Sequence, residues 1–400
     1  MFLPNRHPDH AAPLDPVDAE TLGAAGAARI EDFLAGFADH RPTPLVALPG
    51  LAAATGVAAI HLKNEGARLG LGSFKALGGA YAVALLVLEE AQRHLDRVLS
   101  FADLADPAVR AVAAGTTFAC ATDGNHGRSV AWGAARVGAR SVIFVHRGVS
   151  DPRVAAIARF GAEMVRVDGS YDESVEEAAR VAAREGWTVV SDTSWDGYER
   201  IPGLVMQGYT AIVAEALRQL PAPPTHVFVQ CGVGGIAAAT AAHFVLRLGD
   251  ARPRFVVVDP ARAACMFESA RAGRPVKVAE GEPTVMAMLD CYDPSPLAWR
   301  VLARLADGFM TVDEEEAVAV MRRLADPLAA DPPVVAGESG GVGLAGYLQV
   351  VADPAVRDAL GLDATSRIFV VVTEGATDPA LYERLVGRPP SSVGTSGAAP

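Results

Sequence analysis

The chain has 400 residues, half of them hydrophobic, a fifth charged and 6% aromatic, a globular composition well away from the disordered class. Its formal net charge of -12, from 47 acidic and 35 basic residues with no basic stretch among them, argues against a nucleic-acid or anionic-membrane partner. No window of about 18 uninterrupted apolar residues appears, and the opening MFLPNRHPDHAAPLDP lacks a secretory signal's basic region and apolar stretch, so a soluble cytoplasmic protein is expected.

The length fits two lobes, at roughly 100–200 residues per domain. The first twelve residues look irregular, and RPPSSVGTSGAAP (388–400) is Pro-, Ser- and Gly-rich without periodicity, so both ends are expected to be disordered. Short apolar runs at 116–122, 141–146, 162–168, 187–193, 225–231, 254–260 and 367–373 read as strands. Amphipathic stretches such as 172–186 and 205–220 read as helices between them. Val- and Ile-rich strands separated by helices predict parallel α/β sheets. The expected division is a large domain of 1–85 plus 205–400 and a small domain of 86–204, with ligands bound at the carboxyl ends of the strands. Cys120, Cys231, Cys265 and Cys291 form no CxxC pair and have no histidine at zinc-ligand spacing, so reduced buried thiols and no metal are expected.

Four loops carry chemistry-bearing residues. In LGSFKALGGAYAV (70–83), Lys75 enters an apolar helix, where poor solvation suits a Schiff-base nucleophile; a helix-start lysine reaching solvent is the alternative. In ATDGNHGRSVAWGAARVGA (121–139), a strand gives way to Asp123-Gly124-Asn125-His126-Gly127 at the start of a helix, a position that favours an anion, unless Asp123 is simply an N-cap. In QCGVGGIAAAT (230–240), Gly232, Val233, Gly234 and Gly235 can cradle a phosphate with backbone N–H groups, although the spacing is not the dinucleotide fingerprint. In FVVVTEGATDP (369–379), a strand delivers Thr373, whose hydroxyl can meet a ring nitrogen or serve as a cap.

Taken in order, with PTPL (43–46) ahead of them, these loops resemble the fold-type-II pyridoxal-phosphate enzymes, the tryptophan-synthase-β-like family, over roughly residues 42–380. Within that family the chain is most similar to the diaminopropionate ammonia-lyases, through Ala121–Arg128, the block Ser191-Asp192-Thr193-Ser194-Trp195-Asp196-Gly197-Tyr198-Glu199, then Met206-Gln207-Gly208-Tyr209, Glu282–Ala287 and Thr373-Glu374-Gly375. The resemblance implies two parallel-sheet α/β lobes with the active site in the cleft, pyridoxal 5'-phosphate as cofactor, and a homodimer. It implies that Lys75 binds the cofactor aldehyde and moves protons at Cα, that Asn125 bonds the phenolic oxygen, that residues 232–235 hold the phosphate, and that Thr373 faces the pyridine nitrogen. The segment Lys63-Asn64-Glu65-Gly66 departs from the Lys-Asp-Glu-Ser common in the family, which puts the detail of that loop in doubt.

Relatives acting on serine or threonine commonly carry Ser or Ala where this chain has Asp123. A carboxylate there could take an α-proton from the face opposite Lys75, and Asp192 adds a second acid; the alternative for Asp192 is a helix N-cap. Two carboxylates suit a small diamine, so the expected catalytic set is Lys75, Asp123 and Asp192, acting on 2,3-diaminopropionate, D or L, to give pyruvate and ammonia. A serine or threonine dehydratase of the same fold, a non-catalytic small-molecule-binding protein and a nicotinamide enzyme are the competing readings.

Overall fold

The computed structural model describes residues 1–38, 40–122 and 124–394, and these divide into two compact units. Unit 1 comprises Met1–Ala24, Pro42–Phe74 and Ile212–Pro400; unit 2 comprises Ala25–Arg41 and Lys75–Ala211. The large-domain expectation is therefore corrected at 25–41, 75–85 and 205–211, which fall in unit 2: the helix Lys75–Leu95 belongs there and packs against the helix Asn125–Val137. The apolar faces of these two helices meet closely, with Gly133 against the Ala80 backbone, so they form one body.

Among the described residues unit 1 holds seven strands: β1 (Phe2–Pro4), β2 (Leu45–Ala47), β3 (Ala59–Asn64), β8 (His226–Gln230), β9 (Arg254–Pro260), β10 (Gly308–Val312) and β11 (Arg367–Val372). Their order is β1-β10-β9-β8-β11-β3-β2, with the five inner strands parallel and both edges antiparallel. The central strands read HVFVQ, RFVVVDP and RIFVVV and are almost wholly buried, as parallel strands covered on both faces must be. One core cluster gathers Ile60, Leu62, Phe228, Val256, Val370 and Tyr347.

Unit 2 holds β4 (Thr117–Ala121), β5 (Arg140–His146), β6 (Glu163–Val167) and β7 (Thr188–Val189), all parallel in the order β6-β5-β4-β7. Helices over Tyr171–Glu185 and Arg200–Gln219 match the amphipathic stretches to within a turn or so. Among the described residues no helix is long and apolar enough to cross a membrane.

Both termini differ from expectation. Phe2, Leu3 and Pro4 pair with Met310, Phe309 and Gly308, so the first residues are an edge strand. Near the other end, Val393 is buried in a cluster with Met321, Ala325 and Tyr382, while 395–400 lie outside the described residues. Cys120, Cys231 and Cys265 are buried and Cys291 is half-buried, none of them in a disulfide among the described residues.

Candidate active site

The strand ends place the chemistry. In unit 2, β4 ends at Ala121 and Thr122 follows. Its Oγ1 accepts the N–H groups of Gly124 and Gly127, each at 3.0 Å, which sets the start of the helix Asn125–Val137. Asn125 is its first residue and is buried. Asp123, between Thr122 and Gly124, lies outside the described residues.

Beyond β7 the chain runs through Asp192 into a loop braced by its aromatics. Trp195 and Tyr198 stack with ring centroids 4.1 Å apart, and Gly197 takes a left-handed φ of 78° in the turn between them. The Tyr198 hydroxyl donates to the Val189 carbonyl at 2.8 Å and accepts from Ser191 N–H at 3.2 Å. So held, Asp192 is no helix cap: its Oδ2 accepts a hydrogen bond from Nζ of Lys75, the first residue of the helix Lys75–Leu95. Lys75 is thus not simply a helix-start lysine in solvent; its side chain is 18% exposed and that of Asp192 12%. Burial by itself would raise the Asp192 carboxyl, but the ammonium of Lys75 overrides it and holds the carboxyl well below the usual range.

His126 was not singled out by the sequence, yet it belongs to this cluster. Its Nε2 donates to the Val190 carbonyl at 2.8 Å, which leaves Nδ1 facing Asp192 Oδ2 at 4.0 Å. Burial lowers its pKa, with the nearby Asp192 opposing and Lys75 reinforcing the shift, so the ring is neutral. The only available signal was its place in the Gly-Asn-His-Gly run. The Tyr209 phenol, pushed up by burial, lies within electrostatic reach of Lys75 and Asp192.

In unit 1, β8 ends at Gln230 and the glycine turn follows, leading into the helix Gly235–Leu248. The helical ladder begins with Ala238 N–H to Gly234 O at 2.9 Å, which leaves the N–H groups of Gly235, Ile236 and Ala237 outside it for an anion. Gly234 has φ 109°, and a Cβ there would sit 2.6 Å from Met266 Cε and 2.7 Å from Ala298 Cβ. Thr373, just past β11, is buried; its Oγ1 accepts from Gln230 Nε2 at 2.9 Å and donates to the Ser339 carbonyl at 3.4 Å, a long bond it can exchange for a better acceptor. Gln230 therefore links Thr373 to the strand that delivers the glycine turn. Unit 2 offers a lysine amine suited to an aldehyde, and unit 1 offers a bare helix N-terminus suited to a phosphate and a hydroxyl suited to a ring nitrogen, the groups that pyridoxal phosphate carries. Gly234→Ala should place its side chain against Met266 and strain the turn by about 1–3 kcal/mol. If the amides then lose their alignment, cofactor titration should show binding about ten- to a hundred-fold weaker.

The segment 63–74 that leads to Lys75 is held by a buried charge cluster, which answers the doubt over Lys63-Asn64-Glu65-Gly66. Arg68 Nε and Nη2 donate to Glu65 at 2.7 and 2.8 Å, and Nη1 and Nη2 to Glu215 at 2.6 and 2.7 Å. Lys63 Nζ donates to Glu215 at 2.7 Å and to the Thr43 carbonyl at 2.8 Å. Two cations offset two anions with every side chain at 3% exposure or less, so each ion is compensated. Immediately beyond, Leu69 adopts a left-handed φ of 50°, a strained turn that this cluster holds in place.

Arg68→Met should leave the Glu65 carboxylate without a cation and Glu215 with Lys63 alone, and cost about 3–5 kcal/mol, read as a fall in the denaturation midpoint. Burial raises the Glu215 carboxyl, but Arg68 and Lys63 outweigh it and hold it low. Its share of the stability is therefore full above the ordinary carboxyl range and is lost as pH falls through the depressed folded-state value. The variant's stability should accordingly be flatter in acid than that of the parent.

Comparison with known proteins shows the family. A family model described as "Pyridoxal-phosphate dependent enzyme" matches residues 37–374. A diaminopropionate ammonia-lyase from Escherichia coli (strain K12) is 40% identical over 356 residues, covering 87% of this chain and 88% of that protein. A crystal structure of the Escherichia coli diaminopropionate ammonia lyase, in complex with an aminoacrylate-PLP azomethine reaction intermediate, superposes with a TM-score of 0.86 at 35% identity, covering 96% of each chain. By contrast, a biosynthetic L-threonine dehydratase from Salmonella typhimurium (strain LT2) is 28% identical over 243 residues, 59% of this chain and 43% of that protein.

Proposed function

Because the chain belongs to the pyridoxal-phosphate dependent enzyme family, we propose that it is a carbon–nitrogen lyase that takes ammonia from 2,3-diaminopropionate. The reaction is α,β-elimination: the Cα–H and Cβ–N bonds break, aminoacrylate leaves, and water converts it to pyruvate and a second ammonia. Resemblance to the diaminopropionate ammonia-lyases over 87% of the chain supports this substrate, against 59% for the threonine dehydratase. The observation that carries the mechanism is the carboxylate of Asp192 on Nζ of Lys75.

Bound pyridoxal phosphate supplies an electron sink for the pair left at Cα. Lys75 would hold its aldehyde carbon, the amides of Gly232, Val233, Gly234 and Gly235 would hold its phosphate, Asn125 would bond its phenolic oxygen, and Thr373 would turn its hydroxyl from the Ser339 carbonyl to the ring nitrogen. A neutral hydroxyl there would leave that nitrogen less protonated than a carboxylate would, moderating the sink. Once the substrate amine has freed it, Lys75 Nζ takes the α-proton of one enantiomer. Asp192 stabilises the ammonium so formed and directs its proton to the departing β-nitrogen. His126, neutral and tied to the Val190 carbonyl, adds no positive charge to compete with Lys75 for Asp192.

Asp123 is assigned the α-proton of the other enantiomer, from its place directly before Gly124 and Asn125. Asp123→Asn should then lower turnover of the D-substrate by about 10²-fold or more and that of the L-substrate much less. Equal, small losses on both would refute the two-base division. The enzyme is further assigned as a cytoplasmic homodimer, which sedimentation of the loaded protein would test.

A further inference from the structure

Unit 2 contains a cavity whose chemistry is opposite to that of the proposed diamine site. Its volume is about 480 Å³, within the usual range for small-molecule sites. Four aromatic rings line it: Phe33, Phe37, Phe101 and Trp132. Phe33 meets Phe37 and Phe101 edge-on at 5.0 and 5.4 Å, and Phe37 lies 5.3 Å from Trp132. The only charged residues among its lining are Arg110 and Arg136, although the chain as a whole carries -12.

Arg136 lies over the Phe37 and Trp132 rings, 4.9 and 5.1 Å from their centroids, and Arg110 Nη2 donates to the Arg136 carbonyl at 2.9 Å. Neither guanidinium has a carboxylate partner among the described residues. The nearby acids are engaged elsewhere: Asp106 with Arg97, and Asp103 with Ser100. Small residues, Ala80 and Gly133 among them, leave the space open. They lie on the two helices that begin with Lys75 and Asn125, about 8–12 Å along the axes from those residues at 1.5 Å per residue.

We propose that this cavity binds a planar aromatic carboxylate, with its ring among the aromatic side chains and its anion on Arg110 and Arg136. The 2,3-diaminopropionate substrate lacks the apolar ring that would fill it, so the cavity is a separate ligand site.

The test is calorimetric titration of the pyridoxal-phosphate-loaded full chain with indole-3-acetate, and with indole-3-acetamide as the uncharged comparator. Indole-3-acetate should bind at least about ten-fold more tightly than the amide, a difference of about 1.4 kcal/mol. Both Arg136→Glu and Ala102→Trp, the latter filling the cavity from its exposed rim, should weaken it by a similar factor. Turnover of diaminopropionate without the probe should stay unchanged in both variants. Equal binding of acid and amide, no binding, or affinity unaltered in both variants would overturn the proposal. So would a change of oligomeric state in Arg136→Glu, which would give this surface to a second copy of the chain.

Discussion

Lys75→Ala is expected to lower turnover of 2,3-diaminopropionate by at least about 10³-fold and to leave no cofactor covalently attached. On the proposed mechanism two roles meet at one nitrogen: Nζ would hold the cofactor aldehyde and then move the proton at Cα. Borohydride reduction of the loaded parent, followed by peptide mass analysis, should find the adduct on the peptide containing Lys75 and nothing there in the variant. The fold should survive, because Nζ makes its bond to Asp192 while the helix Lys75–Leu95 is anchored by Leu77, Ala80, Tyr81 and Val83, all fully buried. An adduct on another lysine would remove the assignment.

Asp192→Asn should be nearly as damaging, with kcat down by about 10²–10⁴-fold. The amide keeps the shape and can still accept from Nζ, but it cannot balance a positive charge that is mostly buried. Removing the negative charge disfavours a charged amine beside it, so the limb of the pH–activity profile that reports this amine should move to lower pH. A purely structural role would lower the stability without moving that limb. The parent carboxyl is held below its ordinary range, so its contribution to stability is complete above that range and disappears only as pH falls through the depressed value. Asp192→Asn should therefore lose stability at neutral pH and little in strong acid.

Much of this was legible in the sequence wherever a single local signal sufficed. Runs such as RFVVVDP and RIFVVV announce strands buried on both faces, since they are short and rich in β-branched valine and isoleucine. β3 escaped notice because AIHLKN carries a histidine and a lysine. Lys63 is tolerable there only because Glu215, 152 residues further on, meets it in the fold. β1, β2 and β10 are short or lie at or beside an edge, where the alternation is too brief to read. The unit boundary at Phe74 and Lys75 was missed for a related reason. It depends on the helix Lys75–Leu95 matching the helix Asn125–Val137, a long-range fit that no local pattern announces.

At the candidate site, Lys75 and the glycine turn were visible as motifs. The partnership of Lys75 with Asp192 was not, because 117 residues separate them. His126 was hidden in plain sight, since a buried histidine within a glycine-rich turn has no periodicity to betray it. The brace on Asp192 from Trp195 and Tyr198 emerged only once the turn at Gly197 was seen.

Product stoichiometry tests the whole account most directly, because the leaving group at Cβ decides how much nitrogen is released. With the loaded protein and 2,3-diaminopropionate, two molecules of ammonia should appear for each pyruvate, and serine should be turned over far more slowly. Ready release of one ammonia per oxo-acid from serine or threonine, with the diamine left intact, would contradict it.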